Sequence, residues 1–178
     1  MKLSSSTKAL LIAAAGLILL FIIGDRFGFR TASKDPLEFV IQLDTAAVVD
    51  IRFEDHADPR NDFHLLRRGA YWQRPDAPQD SFSARAQAAL LLQTFQRVPV
   101  KRDMGMIRLL AESYQLTDST LCRITFTELE GGQHALNLGS TTFAPGKVGS
   151  WTYVNVPGER EVYSVEGLLT ATLRKPQP

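Results

Sequence analysis

The chain of 178 residues is 44% hydrophobic and 22% charged, with 20 basic and 19 acidic side chains. This length and apolar content exclude intrinsic disorder and fit one domain that buries a sizeable core. The near-zero net charge argues against a strongly basic nucleic-acid binder, and the single cysteine, Cys122, excludes an internal disulfide framework and a multi-cysteine metal site.

An apolar run near the amino terminus predicts a membrane anchor. Ala9 to Gly24 carries no charge and is rich in the Leu, Ile and Phe side chains that favour insertion. As a helix the run measures about 24 Å, slightly less than the ~30 Å hydrocarbon core, and Lys8 can snorkel on that side. The predicted anchor residues are Leu10, Leu11, Ile12, Leu17, Ile18, Leu19, Leu20, Phe21, Ile22 and Ile23.

Three interpretations of this run compete. A cleaved signal peptide needs a small-residue site just after the run, but the nearest one, Thr31 to Ser33, lies beyond three charges. A buried helix of a soluble protein normally carries a polar stripe, which this run lacks. The sequence therefore favours an uncleaved anchor.

The basic residues on the two sides of the anchor are nearly equal in number, so their count does not decide its orientation. Lys2 and Lys8 precede the run, whereas Arg26, Arg30 and Lys34 follow it. A short amino-terminal tail before a long domain is typical of a signal anchor, so we expect the tail inside and the domain outside. The predicted division is a tail and anchor over 1–24, a connector over 25–35 and an extracytoplasmic domain over 36–175.

The residues after the connector read mostly as strands. Alternating apolar and polar side chains are typical of half-buried strands, and Gly131 with Gly132 predicts a hairpin turn. The predicted strands are Leu37 to Leu43, Val48 to Glu54, Phe63 to Arg67, Tyr71 to Arg74, Leu121 to Glu128, His134 to Leu138, Trp151 to Val156 and Glu161 to Val165.

Three helices interrupt the predicted strands. Ser83 is a favourable N-cap for the first of them, and apolar side chains at helical spacing mark all three. We therefore expect an α+β domain with a mainly antiparallel sheet and two or three packed helices. The predicted helices are Ala84 to Gln96, Met106 to Tyr114 and Glu166 to Leu173.

The same order of elements occurs twice along the chain. Strands followed by a helix run from Val48 to Gln96 and again from Leu121 to Leu173. This order suggests the hypothesis that the domain is a duplication of two β-rich halves, over 36–100 and 105–174, although the sequence identity between the halves is poor.

Short landmarks follow one another in a characteristic order along residues 37–173. They are Trp72-Gln73-Arg74-Pro75, Leu90-Leu91-Leu92, Tyr114-Gln115-Leu116, Ile124-Thr125-Phe126, Leu138-Gly139, Tyr153-Val154 and Val162-Tyr163-Ser164-Val165. Together with the anchor, this order resembles the bacterial "domain of unknown function 4340" (DUF4340) family. That resemblance implies a membrane-tethered extracytoplasmic domain in the bacterial inner membrane, in a family that often accompanies ABC-type transport components and has no assigned catalytic residues.

The chain departs from the family's usual Tyr-Gly-Leu at one landmark, where Gln115 stands in place of the glycine. If that glycine adopts a positive φ, a glutamine there puts the tight turn in doubt.

Groups that could carry chemistry are sparse and have simple structural explanations. Acidic residues between Glu54 and Asp62 lack the spacing of a calcium loop, and the three histidines form no ligand pair. Cys122 stands at the start of a predicted strand, where we expect a buried and unreactive thiol. We expect no catalytic residue, no metal and no cofactor.

The candidate interaction surface combines aromatic and basic side chains. Trp151 and Tyr153 share one face of a predicted strand, either as an exposed patch or as core. Arg67, Arg68 and Arg74 would form a basic strip, with a solvated face as the alternative.

These observations favour a noncatalytic accessory or interaction domain of a bacterial membrane assembly, and the DUF4340 resemblance implies a link to an ABC-type transporter. The expected partners are the lipid bilayer, through the anchor, and a protein of that assembly, with no nucleic acid. The alternative is a module that binds a small ligand or an envelope polymer in a groove between the halves, and an enzyme is the least favoured class.

Overall fold

The strands of the described residues belong to a single antiparallel sheet. The computed structural model describes residues 37–143 and 149–174. The strands are β1 (Phe39–Gln42), β2 (Val48–Asp55), β3 (Phe63–Arg68), β4 (Tyr71–Gln73), β5 (Arg97–Met106), β6 (Cys122–Glu128), β7 (Gln133–Phe143), β8 (Ser150–Asn155) and β9 (Glu161–Glu166). Their spatial order is β1-β5-β9-β8-β7-β6-β2-β3-β4, which confirms the expected mainly antiparallel sheet.

The pairing of β2 with β6 at the centre defines the two faces of the sheet. Ile51 lies opposite Phe126, and both side chains are fully buried. The neighbouring residues Arg52 and Thr125 also lie opposite one another and point to the other side, because successive side chains of a strand alternate. We call the side of Ile51 the inner face and the side of Arg52 the outer face.

Helix α1 (Ser81–Phe95) covers the inner face. Ala84, Ala88, Leu91 and Phe95 recur at helical spacing and are buried, and the Phe95 ring lies 5.5 Å from that of Phe126. The predicted cap at Ser83 is wrong.

The observed cap is one turn earlier, where the side chain of Asp80 accepts a hydrogen bond from the Ser83 backbone N–H at 3.3 Å. Asp80 is an equally favourable cap residue and satisfies an otherwise free N–H of the first turn. The helix therefore begins at Ser81 rather than Ala84.

The other two helices are shorter than the sequence predicts. They are α2 (Ile107–Leu110) and α3 (Leu169–Leu173). After α2 the chain continues in turns to Gln115, where the Leu116 N–H bonds to Ala111 and the Gln115 N–H to Glu112. These two bonds form a Schellman motif, and Gln115 takes its left-handed position with φ 56°.

Two further segments cover the β7–β9 side of the sheet. On the inner face, α3 is held where Thr170 donates to the Gly139 carbonyl at 2.8 Å. On the outer face, the Tyr114 ring stacks on Tyr153 with centroids 3.8 Å apart, and the Ser140 N–H donates to the Tyr114 carbonyl. This side of the sheet is therefore covered on both faces.

Two strand predictions need correction. Arg97–Met106 forms β5, which the sequence did not predict, and pairs with both β1 and β9. The return strand predicted to end at Leu138 continues to Phe143.

The predicted anchor at Leu10 to Ile23 and the connector over 25–35 lie outside the described residues. Among the helices that the structure describes, none has the length and hydropathy needed to span a bilayer. The two stretches with a repeated order lie on opposite sides of the β2–β6 pairing, and their duplication stays a prediction.

Candidate functional site

The outer face carries a cluster of polar side chains across β3, β2, β6 and β7 that no described helix or loop covers. These residues alternate with core residues along each strand, and α1 lies on the opposite side of the sheet. We call this surface the polar face; it consists of Asp50, Arg52, Glu54, His64, Arg123, Thr125, Thr127 and Asn137.

Asp50 organises the β2–β3 side of the polar face. Its carboxylate lies 2.6 Å from His64 Nε2 and accepts a hydrogen bond from Arg52 Nε at 3.1 Å. The Asp50 side chain is only 11% exposed, whereas that of Arg52 is 61% exposed. Asp50 thus fixes the base of the Arg52 guanidinium and leaves its outer end toward solvent.

A chain of side-chain hydrogen bonds organises the β6–β8 side. Arg123 Nε donates to Asn137 Oδ1 at 2.9 Å, and Asn137 Nδ2 donates to Asn155 Oδ1 at 3.2 Å. Asn155 in turn donates to the Glu161 carbonyl at 2.8 Å. Because each buried amide is satisfied, this chain holds Arg123 in a fixed orientation.

Two open depressions contain residues of the polar face, and Arg52 and Glu54 line both of them. Both depressions are open to solvent and too shallow to enclose a small molecule. They offer recesses into which side chains of another protein could protrude. One, of about 420 Å³, is lined by Arg52, Phe53, Glu54, Asp62, Phe63, His64, Pro75 and Asp76. The other, of about 380 Å³, is lined by Asp50, Arg52, Glu54, Arg123, Thr125, Thr127 and Gln133.

The acidic loop after β2 is engaged in internal contacts. The Asp55 side chain is fully buried and accepts hydrogen bonds from Arg174 Nε at 2.7 Å and from Asn61 Nδ2 at 2.9 Å. Burial by itself raises the pKa of Asp55, but the bonds from Arg174 and Asn61 outweigh it and lower that pKa. Asp58 pairs with Arg60 at 2.8 Å.

Asp62 accepts a hydrogen bond from the Asp55 backbone N–H at 2.7 Å. Within residues 37–143 and 149–174, no three His, Cys, Asp or Glu side chains are grouped as metal ligands. Cys122 lies beside Asp55 and is fully buried, which raises the pKa of its thiol to about 12.

The structure separates the aromatic and basic residues of the predicted interaction surface. Trp151 and Tyr153 do share the outer face, but Tyr153 lies under the Tyr114 ring and both are half-buried. Arg67 points to the inner face and donates to the Ala46 carbonyl at 2.7 Å. Arg74 donates to Gln87 of α1.

Arg68 is exposed at the end of β3 and, as the residue after Arg67, points to the other face. The three arginines therefore do not form one continuous strip.

Sequence reasoning missed the polar face. Its signal lay in the polar positions of the two predicted strands Val48 to Glu54 and Leu121 to Glu128. What joins them is the pairing of Arg52 with Thr125, which lie far apart in the chain. No local pattern predicts such a partner.

In residues 37–143 and 149–174, the fold and the site together define an antiparallel-sheet domain with an open polar face. Comparisons with family models, with curated proteins and with solved structures found no match. The resemblance to the DUF4340 family therefore stays a prediction from the order of residues.

Proposed function

We propose that this chain is a single-pass, membrane-anchored accessory domain that binds a protein partner through its polar face. The domain lies outside the cytoplasm of a bacterial cell and belongs to a membrane assembly, in line with the expected ABC-type transporter. Its role is noncatalytic, and its contribution is to position or stabilise the partner.

The observation that carries this proposal is the uneven covering of the sheet. The inner face is packed against α1 and α3, and the outer face over β7 and β8 lies under Tyr114. The outer face over β3, β2 and β6 has no such cover among the described residues, yet Asp50 and Asn137 hold three of its side chains in place, namely Arg52, His64 and Arg123. Ordered charges on an open surface suit recognition of a complementary protein.

The apolar run at Ala9 to Gly24 supports the membrane part of the proposal. A tether confines the domain to a layer near the bilayer and raises its effective concentration for a partner in the same membrane. A contact of modest intrinsic affinity is then sufficient for stable association.

Site-specific photo-crosslinking in native membranes tests the proposal. A photo-reactive residue in place of Thr125, on the polar face, is expected to give one discrete adduct with a membrane-assembly subunit. The matched control replaces Ala86, which is exposed on α1, and is expected to give none. Equal adducts from both positions, or none from Thr125, would contradict a partner on the polar face.

A second candidate function rests on the larger depression. Phe63 lines it and stacks on Phe53 at 5.2 Å, beside His64, and an aromatic ring next to polar groups suits a sugar or other small ligand. The full chain would then gain thermal stability with a glycan fragment of the envelope. An unchanged melting temperature at high concentrations of the fragment would reject this candidate.

A further inference from the structure

Arg52 and Arg123 occupy diagonal positions on neighbouring strands. Arg52 lies opposite Thr125 and Arg123 opposite Glu54, which places the two arginines about 7–8 Å apart at their backbones. Both line the depression of about 380 Å³, together with Thr125. Two guanidinium groups thus face the same recess.

Each arginine is held at its Nε atom by a side chain of the sheet, while its terminal nitrogens are available to a binding partner. Each uses its Nε within the sheet, Arg52 toward Asp50 and Arg123 toward Asn137. In the part of the chain that the structure describes, both arginines donate through Nε and form no hydrogen bond through their terminal nitrogens. Groups that are already oriented lose little conformational entropy when they bind, so these nitrogens are prepared for an external acceptor.

We infer that Arg52 and Arg123 form a clamp for a carboxylate on an acidic segment of the partner protein. This inference rests on the proposed function and adds the chemistry of the recognised group. Guanidinium nitrogens match the oxygens of a carboxylate in geometry as well as charge.

The charges that line the recess favour a carboxylate over a phosphate. Glu54 is exposed on the rim of the same recess beside the Asp50 carboxylate and, within the described ranges, forms no ion pair with Arg123 or Arg52. For a doubly charged phosphate the attraction to the guanidinium groups and the repulsion from these carboxylates both double, whereas the desolvation cost rises about fourfold, so a singly charged carboxylate binds more favourably. The open recess also offers a small free acid little surface to contact, which favours an acid carried on a longer segment.

The test measures binding of a fluorescein-labelled peptide of alternating glutamate and serine to the full chain in detergent, by anisotropy at low ionic strength. Arg52→Gln and Arg123→Gln are each expected to weaken binding about tenfold, the loss of one charge-assisted contact. Arg85→Gln, at an exposed position on α1, serves as the matched control and is expected to leave binding unchanged.

Two more variants sharpen the result. Glu54→Gln removes the repulsion and is expected to tighten binding of the glutamate peptide. Arg52→Lys keeps the positive charge but loses the planar guanidinium with its paired terminal nitrogens. It is expected to weaken binding while it preserves the melting temperature. A variant that fails to fold is identified by that melting temperature, and the Glu54→Gln and Arg123→Gln results then decide.

The clamp is contradicted if a glutamine–serine peptide binds as well as the glutamate peptide, if phosphate competes better than acetate, or if Arg85→Gln weakens binding as much as Arg52→Gln. Its failure is separable from that of the proposed function. A Thr125 crosslink that persists in Arg52→Gln and Arg123→Gln chains would leave the partner surface standing and remove only the carboxylate clamp.

Discussion

Gly139 allows two segments to approach more closely than any other residue would permit. A Cβ atom at this position would lie 2.0 Å from the Tyr114 carbonyl oxygen and 2.9 Å from Leu116 Cγ. The same carbonyl accepts the hydrogen bond from Ser140 N–H at 2.7 Å. The missing side chain thus lets the 111–121 segment lie directly on β7.

Gly139→Ala is therefore expected to destabilise the protein by about 2 to 3 kcal/mol, because backbone atoms must move to relieve the clash. Urea unfolding of the full chain in detergent measures the loss. Gly149→Ala is the matched control, because among the described residues beyond its chain neighbours no atom lies within 4 Å of the added Cβ. Equal unfolding midpoints for the two variants would show that the close approach is wrong.

Gln115 holds a backbone conformation that suits glycine. Its φ of 56° is the one positive value among the described non-glycine residues, and it closes the Schellman motif after α2. The tight turn that the DUF4340 resemblance placed in doubt therefore forms without the glycine, at a cost in backbone strain.

Gln115→Gly is expected to stabilise the protein by about 0.5 to 1 kcal/mol, since relief of strain exceeds the added flexibility of the unfolded chain. Ala86→Gly, at an exposed position within α1, is expected to destabilise it by about 1 kcal/mol. Thermal unfolding compares the two. A loss of stability in both variants would contradict the strained turn.

The Asp55–Arg174 pair ties the carboxy-terminal end of the described chain to the end of β2. Removing Arg174 leaves the fully buried Asp55 carboxylate without its charged partner. Arg174→Met is expected to cost about 2 to 3 kcal/mol, below the value for a fully buried pair because the Arg174 side chain is 37% exposed. Asp55→Asn with Arg174→Met is expected to recover part of that loss.

The same pair gives stability a defined pH dependence. The folded pKa of Asp55 is lowered from the ordinary 3.8, so its contribution is complete above pH 3.8 and is lost as pH falls through the lower folded value. As pH falls below 3.8, the unfolding free energy of the wild type should therefore fall more steeply than that of Asp55→Asn. Parallel pH profiles for the two chains would show that Asp55 does not cause this loss of stability at low pH.

At the scale of elements, two residues are candidates for the N-cap of α1, Asp80 and Ser83, and their substitutions are expected to differ in effect. Asp80→Ala is expected to cost about 1 kcal/mol because it leaves the Ser83 N–H without its acceptor. Ser83→Ala is the control and should change stability by less than about 0.5 kcal/mol, since its side chain is exposed. The opposite ranking in thermal unfolding would restore Ser83 as the cap.

The elements that the sequence predicts well are those with a clean local pattern. Val48 to Glu54 and Leu121 to Glu128 alternate strictly enough to reveal β2 and β6, and the spacing of Ala84, Ala88 and Leu91 reveals α1. For these elements the period of the core-facing residues is visible in the local sequence.

The elements that the sequence misses depend on distant partners. β5 contains Pro99, Gly105 and several charges, so its pattern does not resemble a strand, and it forms because β9 pairs with it across two bulges. The helix predicted over Met106 to Tyr114 is short because the chain leaves regular helix after Leu110 and continues in turns, which the bonds from Gln115 and Leu116 close. The polar face depends in the same way on the pairing of β2 with β6.

At the scale of the whole molecule, the chain combines an apolar amino-terminal run with an open polar sheet face. The run predicts confinement to a membrane, and the face provides ordered charges for a partner. The two features make a consistent accessory domain only if the folded part lies outside the cytoplasm while the chain stays tethered.

Cysteine labelling in intact bacterial cells tests that topology directly. Cys122 is buried with a raised thiol pKa, so it contributes little background, and Ala86→Cys places a thiol on the exposed side of α1. We predict that a membrane-impermeant maleimide labels the Ala86→Cys chain in unbroken cells, on a protein of full unprocessed mass that sediments with the membranes. Labelling only after lysis, or a labelled full-mass chain in the soluble fraction, would contradict the account.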